Sequence, residues 1–185
     1  MNYNLLDQLE FRENLSGLKM YNQSMILNLP LILETRRNHA LEHATLHMLA
    51  RQHHTSMAGH SNPTGFFLLG DFSTQDVWIA ATEALERLRE GESGLAIHAG
   101  CGTNMATNVL FGAMLSWFVM RGAKSTLMRI LLIPFAVISG VIGFLIARPL
   151  GPKLQQYVTT EANMGNMQIV DIIPIRKGVH RIITR

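Results

Sequence analysis

The chain has 185 residues, enough for one domain of ordinary size or for a small domain with a membrane anchor. Only 16% of the residues are charged, against roughly 25% in an average soluble domain, and the mean hydropathy is positive, so composition leans towards the membrane. The net charge of +3 is scattered and not interleaved with aromatics, which speaks against nucleic-acid binding, and a single cysteine, Cys101, excludes an intrachain disulfide.

Residues 1–34 read as an N-terminal arm, amphipathic at best. They lack a basic stretch followed by an apolar core, so no cleaved signal peptide is expected. The run from Ser24 to Leu33 contains Pro30 and is too short to span a bilayer; it fits an interfacial segment or a packed helix.

Residues 35–104 read as a compact α/β module. Thr35 is placed to cap a helix running to about Arg51. A loop with Gly59, Asn62, Pro63 and Gly65 follows, then a short buried strand from Phe66 to Gly70. Ser73 and Asp76 form a capping-box-like start for a second helix, in which Val77, Ala80, Ala81, Ala84, Leu85 and Leu88 share one face. Gly91 is its natural stop. Leu95 to His98 reads as another short strand, and a Gly-rich turn, Ala99 to Asn104, leads into the apolar part of the chain.

Residues 105–148 read as a transmembrane helical hairpin. The uncharged run from Met105 to Met120 would cover ~24 Å as a helix, somewhat less than a ~30 Å hydrocarbon core, and the preceding turn can lengthen it. The run from Ile130 to Ala147 is uncharged, is bounded by Arg129 and Arg148, and carries Pro134 as a kink point. A buried hairpin in a soluble core is the alternative. Two adjacent runs with charges only at their ends, and Trp117 near one end, favour lipid. Arg121, Lys124 and Arg129 in the connecting loop nearly balance Arg148 and Lys153 on the other side, so charge counting does not set the orientation. The lone thiol and the missing signal peptide lean towards a cytoplasmic module on an integral membrane protein.

Residues 149–185 return to water. Two apolar segments flank Arg176, Lys177 and Gly178, a β-hairpin signal in which Pro174 demotes the first strand to an edge. These C-terminal strands are expected to pack on the module beside the strand at Phe66. The predicted fold is thus an α+β module carrying an inserted two-helix transmembrane hairpin.

The chemistry concentrates in the first helix. His39 and His43 lie four apart and present two imidazoles on one face, with Glu42 beside them. This His-x-x-Glu-His spacing is that of the inverted zincins, in which both histidines hold zinc and the glutamate takes a proton from water. His47 continues the row as a ligand, a supporting partner or a proton carrier. A histidine-rich helix is often only a polar surface. Here the helix also carries Ala40, Leu41, Ala44, Leu46, Met48 and Leu49, so His and Glu within it are expected to be buried, and a buried carboxylate needs a partner. A second pair, His98 and Cys101, offers two further zinc ligands on a flexible turn, and Cys101 precedes a helix start that favours its thiolate. A small buried residue in a tight turn is the plainer reading of Cys101. His60, Asn62 and Asp71 are weaker candidates, as are Glu83 and Glu86, and His53 and His54 read as the solvated end of the helix.

The stretches from Asn38 to Leu49, Ala58 to Asp71 and Glu83 to Asn104, with the tail from Leu154 to Ile172, resemble a family of small bacterial membrane proteins known as a domain of unknown function in photosynthetic bacteria. The pairing of His-x-x-Glu-His with His-x-x-Cys-Gly-Thr (His39, Glu42, His43, then His98, Cys101, Gly102, Thr103) is also similar to a second family, of predicted metal-dependent membrane enzymes. Ala99-Gly100 stands where that family's pattern has a proline. The resemblance implies a metal site and no particular reaction.

Two functions are therefore expected in competition. One is a membrane-anchored metal-dependent hydrolase with zinc (Zn2+) or another divalent transition metal on His39, His43, His98 and Cys101, and Glu42 as catalytic base. The other is a non-catalytic assembly factor or accessory subunit of a larger complex, a photosynthetic one being among the candidates, with a structural metal or none. The expected partners are the lipid bilayer and other membrane protein subunits, not nucleic acid.

Overall fold

The structure, a computed structural model, describes residues 25–53 and 55–185. Most of the N-terminal arm, and His54, lie outside the described residues. The long helix that carries the histidines, α1 (Pro30–Gln52), starts a turn and a half earlier than the sequence reading placed it. Pro30 at the start of the helix explains the difference, because its fixed φ is already helical and its missing N–H is not needed there. Thr35 is not a cap; its hydroxyl donates to the carbonyl of Leu31 (2.7 Å).

Two strands follow, β1 (Ala58–Asn62) and β2 (Gly65–Leu69). The expected strand at Phe66 is β2. The loop before it was expected to be irregular, yet most of it forms β1, whose polar and glycine-rich sequence carries no alternating apolar signal. The next helix, α2 (Thr74–Arg89), begins with the expected capping box between Ser73 and Asp76 and buries the expected face, from Val77 to Leu88. Gly91, with φ +96°, turns the chain out of it.

The strand expected at Leu95 to His98 is absent. Ser93–Ala96 instead forms a 3₁₀ turn, with Ile97 N–H donating to Gly94 O. A short run containing glycine has no neighbouring strand to pair with here. Helices α3 (Gly102–Met120) and α4 (Thr126–Ile146) follow and pack against each other. Small residues let them approach: a Cβ on Gly143 would lie 2.8 Å from the carbonyl of Phe111, and the Ser116 hydroxyl donates to Ala136 O (2.8 Å). Of the two, α4 is long and apolar enough to cross a membrane by length and composition, and only 11% of its most apolar stretch is buried.

A short helix, α5 (Leu150–Leu154), runs into a π-helical turn, Gln155–Thr159. The chain closes with β3 (Ile169–Arg176) and β4 (Val179–Thr184), joined through Gly178 at φ +74° as the hairpin signal required. All strands are antiparallel, in the order β1-β2-β4-β3. Pro174 therefore lies on an edge strand, as expected.

The architecture is α+β. Helices α1 and α2 cover one face of the sheet, and Leu41, Leu49, Phe66, Leu68, Val77 and Ile182 form the fully buried centre of that layer. This core fixes α1 beside β1 and so sets the position of the histidine-bearing face of α1.

Candidate metal centre

The middle of α1 is buried, as its alanine and leucine content required. His43 is 1% exposed and Glu42 4%. The rings of His39 and His43 meet edge to face with centroids 4.3 Å apart. Each has one nitrogen committed to the backbone: His39 Nδ1–H donates to Thr159 O (2.9 Å) and His43 Nδ1–H donates to Ala96 O (2.7 Å). A carbonyl can only accept, so in both rings Nδ1 carries a proton, and Nε2 is left to ligate an ion through its lone pair or, when protonated, to donate to a neighbour. This is the arrangement by which a metal-binding histidine is oriented.

Cys101 completes the group. One ligand atom from each of His39, His43 and Cys101 lies within 4.8 Å of the others. Cys101 is the N-cap of α3, and its sulfur accepts from the Thr103 N–H (3.4 Å). It also lies 3.5 Å from His39 Nε2. Burial pushes the thiol upward, but hydrogen bonds from His39, His43 and Thr103 outweigh it and bring its pKa down to about 5. The same contact acts in reverse on His39. Burial opposes its charge, yet Cys101 and the Thr159 carbonyl raise its pKa above the ordinary histidine value. The two shifts both favour a thiolate beside a protonated imidazole. A cation can take the place of the shared proton.

Glu42 is held separately. Its Oε2 accepts from the Ser61 hydroxyl (2.5 Å) on β1. Burial raises the carboxyl pKa, against the Ser61 hydrogen bond and the nearby His39 and His43. Gly59 explains how β1 can come so close, because any Cβ there would run into the Glu42 side chain. The stretch that the sequence marked as a loop is thus the wall against which Glu42 rests.

The turn bearing Cys101 is fixed from the far end of the chain. Gln155, fully buried, accepts from His98 N–H (2.8 Å) and donates to His98 O (3.1 Å) and Asn104 Oδ1 (2.6 Å). Arg36 reaches over the same π-helical turn and donates to Val158 O (2.8 Å) and Thr160 O (2.9 Å). Sequence reasoning missed Gln155, Ser61, Arg36 and the carbonyls of Ala96 and Thr159. The glutamine pair in the tail was visible but carried no spacing that tied it to the histidines.

A cavity of about 480 Å³ opens on the group. It is lined by His39, Glu42, His43 and Cys101, by Ala58–Ser61 of β1, and by His98. His98 lies beside the three-residue group and is not one of its members: its ring centroid is 5.6 Å from that of His43 and 5.1 Å from that of His47. Burial and the neighbouring histidines lower its pKa, so it stays neutral at physiological pH. His47 donates from Nε2 to Ile97 O (2.9 Å) and braces the same turn. His60 is exposed at the cavity wall. Asn62 organises the β1–β2 turn, accepting from Thr64 and Arg181.

Two imidazoles and one thiolate, buried together on an α+β scaffold, form a cluster that could hold a metal ion. The chain belongs to DUF6391, a domain of unknown function, which matches residues 34–172 and so takes in the whole cluster. It is also 32% identical over 143 residues to an uncharacterized protein of Picosynechococcus sp., covering 70% of this chain and 67% of that one. No solved structure matches.

Proposed function

We propose that the protein is a membrane-anchored, metal-dependent hydrolase, with zinc or a similar divalent transition metal held by His39, His43 and Cys101. One observation carries the reading: three ligand atoms within 4.8 Å of one another face a cavity that the buried Glu42 also lines. A structural zinc site uses four protein ligands and is closed, whereas a catalytic one has three and keeps an open position. When bound, such an ion supplies Lewis acidity and brings the pKa of coordinated water near neutral. The chain's own residues do the rest. The Thr159 and Ala96 carbonyls aim the two imidazoles, and Thr103 and the start of α3 favour the thiolate. Glu42, with its pKa raised by burial, is suited to take a proton from water and return it to a leaving group. His98 stands at the cavity wall as a neutral imidazole.

Membrane anchoring is supported by the outer surfaces of α3 and α4. Leu110, Trp117, Leu131, Phe135 and Ile146 are all half exposed or more, a surface that is costly in water and ordinary in lipid. Leu29 and Leu31, at the start of α1, continue this apolar exposure. The same breadth of apolar surface favours a second reading, an accessory subunit or assembly factor that docks these helices on other membrane proteins.

The test is metal content in detergent-purified protein, followed by activity on peptide and ester substrates. About one divalent transition-metal ion per chain is expected in the wild type, with loss in His43→Ala and Cys101→Ser. Glu42→Gln should retain the metal and lose turnover by about a hundredfold or more. Wild type without bound metal would sink the hydrolase. Unchanged function in Glu42→Gln with metal retained would favour the accessory role.

A further inference from the structure

We infer that the substrate of this site is an extended polypeptide segment that binds by pairing with the free edge of β1. The inference rests on the hydrolase reading above. β1 is the outermost strand in the order β1-β2-β4-β3, so among the described residues one of its edges has no neighbouring strand. In an antiparallel pair, alternate residues turn their N–H and C=O groups away from the partner strand. Among the described residues, the β1 backbone makes one hydrogen bond outside its ladder with β2, from Asn38 Nδ2 to Asn62 O (2.9 Å). No other backbone or side-chain partner meets its outward groups among the described residues.

The two edges of the sheet differ. β3 is blunted by Pro174 and by register shifts at Ile169/Asp171 and Pro174/Arg176, the usual protections of an exposed edge. β1 has no proline and no register shift. Its Gly59 and Ser61 pack directly against the Glu42 side chain, which sets the strand beside the carboxyl. These residues line the cavity that holds His39, Glu42, His43 and Cys101. A chain laid along β1 therefore runs past the metal ligands and the carboxyl. A peptide offers donors and acceptors at the spacing of a strand; an acyl chain offers none.

Hydrolysis of a peptide held there balances simply. Water oxygen bonds to the amide carbon and the C–N bond breaks. One water proton passes by way of Glu42 to the departing nitrogen, which leaves as an amine, and the other fragment is a carboxylic acid.

The experiment uses the zinc-loaded full chain in detergent and compares the affinities of acetohydroxamate, a tetra-alanyl hydroxamate and an alkyl hydroxamate of matched length. Two further tetra-alanyl hydroxamates are N-methylated at alternate amides, one in each register. Tetra-alanyl hydroxamate should bind about tenfold tighter than either simple probe. One methylation register should abolish that gain and the other preserve it, and the amides of Ala58–Asn62 should exchange more slowly in the complex. Equal or tighter binding of the alkyl probe, or equal effects of both registers, overturns the inference and points to a lipid-like substrate. If acetohydroxamate binds and the peptide adds nothing, strand pairing alone fails. If acetohydroxamate does not bind at all, the metal reading fails with it.

Discussion

Cys101 shows how few atoms are needed to change the character of a residue. A lone thiol would be inert if burial alone acted on it, yet His39, His43 and Thr103 bring its pKa to about 5. Because the folded-state value is depressed below the ordinary one, the thiolate's contribution to stability is present above the unfolded pKa and is lost as pH falls towards about 5. In metal-free protein the thiolate ultraviolet absorbance should therefore titrate with a midpoint near 5, and His39→Ala should move the midpoint upward. An unchanged midpoint in that variant would mean that His39 does not set the thiol. Metal binding should weaken over the same acid range, as protons compete for the sulfur. The positions of His39, Glu42, His43 and Cys101 could be read from the sequence, because spacing on one helix and a helix start are local properties. Ser61, Gly59 and Gln155 could not, since each acts on a residue many positions away through a contact that only the folded chain creates. Gln155 is the sharpest case. Replacing it with Leu would leave the His98 N–H and Asn104 Oδ1 without that partner, should lower the unfolding free energy by about 1–3 kcal/mol, and should weaken metal binding by freeing the Cys101 turn. Wild-type stability in that variant would rule out the clasp.

At the scale of elements, strong local signals were legible and weak ones were not. The capping box of α2 and its apolar face needed no tertiary context, nor did the Gly178 hairpin. β1 was illegible because its residues satisfy a neighbour's backbone and Glu42 more than a core. Leu95 to His98 looked like a strand by composition, but a strand is defined by its partner, and this segment has none. The α3–α4 contact makes a separate prediction. Gly143→Ala would force a methyl against the Phe111 carbonyl, whereas Gly122, in the connecting turn, has nothing within 4 Å of an added Cβ. Gly143→Ala should lower the thermal midpoint in detergent, by an amount equivalent to about 1–3 kcal/mol of overpacking, and Gly122→Ala should not. Equal behaviour of the two would show that the helices do not pack closely there.

At the scale of the whole molecule, a polar α+β layer meets a helix pair whose outer surface is apolar. Two spans would return the chain to its starting side, which is what the fold requires, because β4 pairs with β2 and Gln155 clasps the turn before α3. The protein should resist extraction from membranes by alkaline carbonate. A cysteine introduced at Ser125, between the helices, should be labelled from the opposite side to one introduced at Asp171 in β3. Release by carbonate, or labelling of both from one side, would leave α3 and α4 as a docking surface instead of an anchor.

The hydrogen bond between His39 and Thr159 joins residues 120 positions apart, and both apolar helices lie between them. During synthesis the first imidazole is made early and the carbonyl that aims it is made late. An ion arriving before the second helix has emerged would meet a ring free to rotate. If the proposed metal site is filled, full-strength loading would wait until α3 and α4 have found their places and the chain has come back. Occupancy of the centre would then serve as a record of correct insertion, a built-in certificate that a nascent or mis-threaded chain cannot carry.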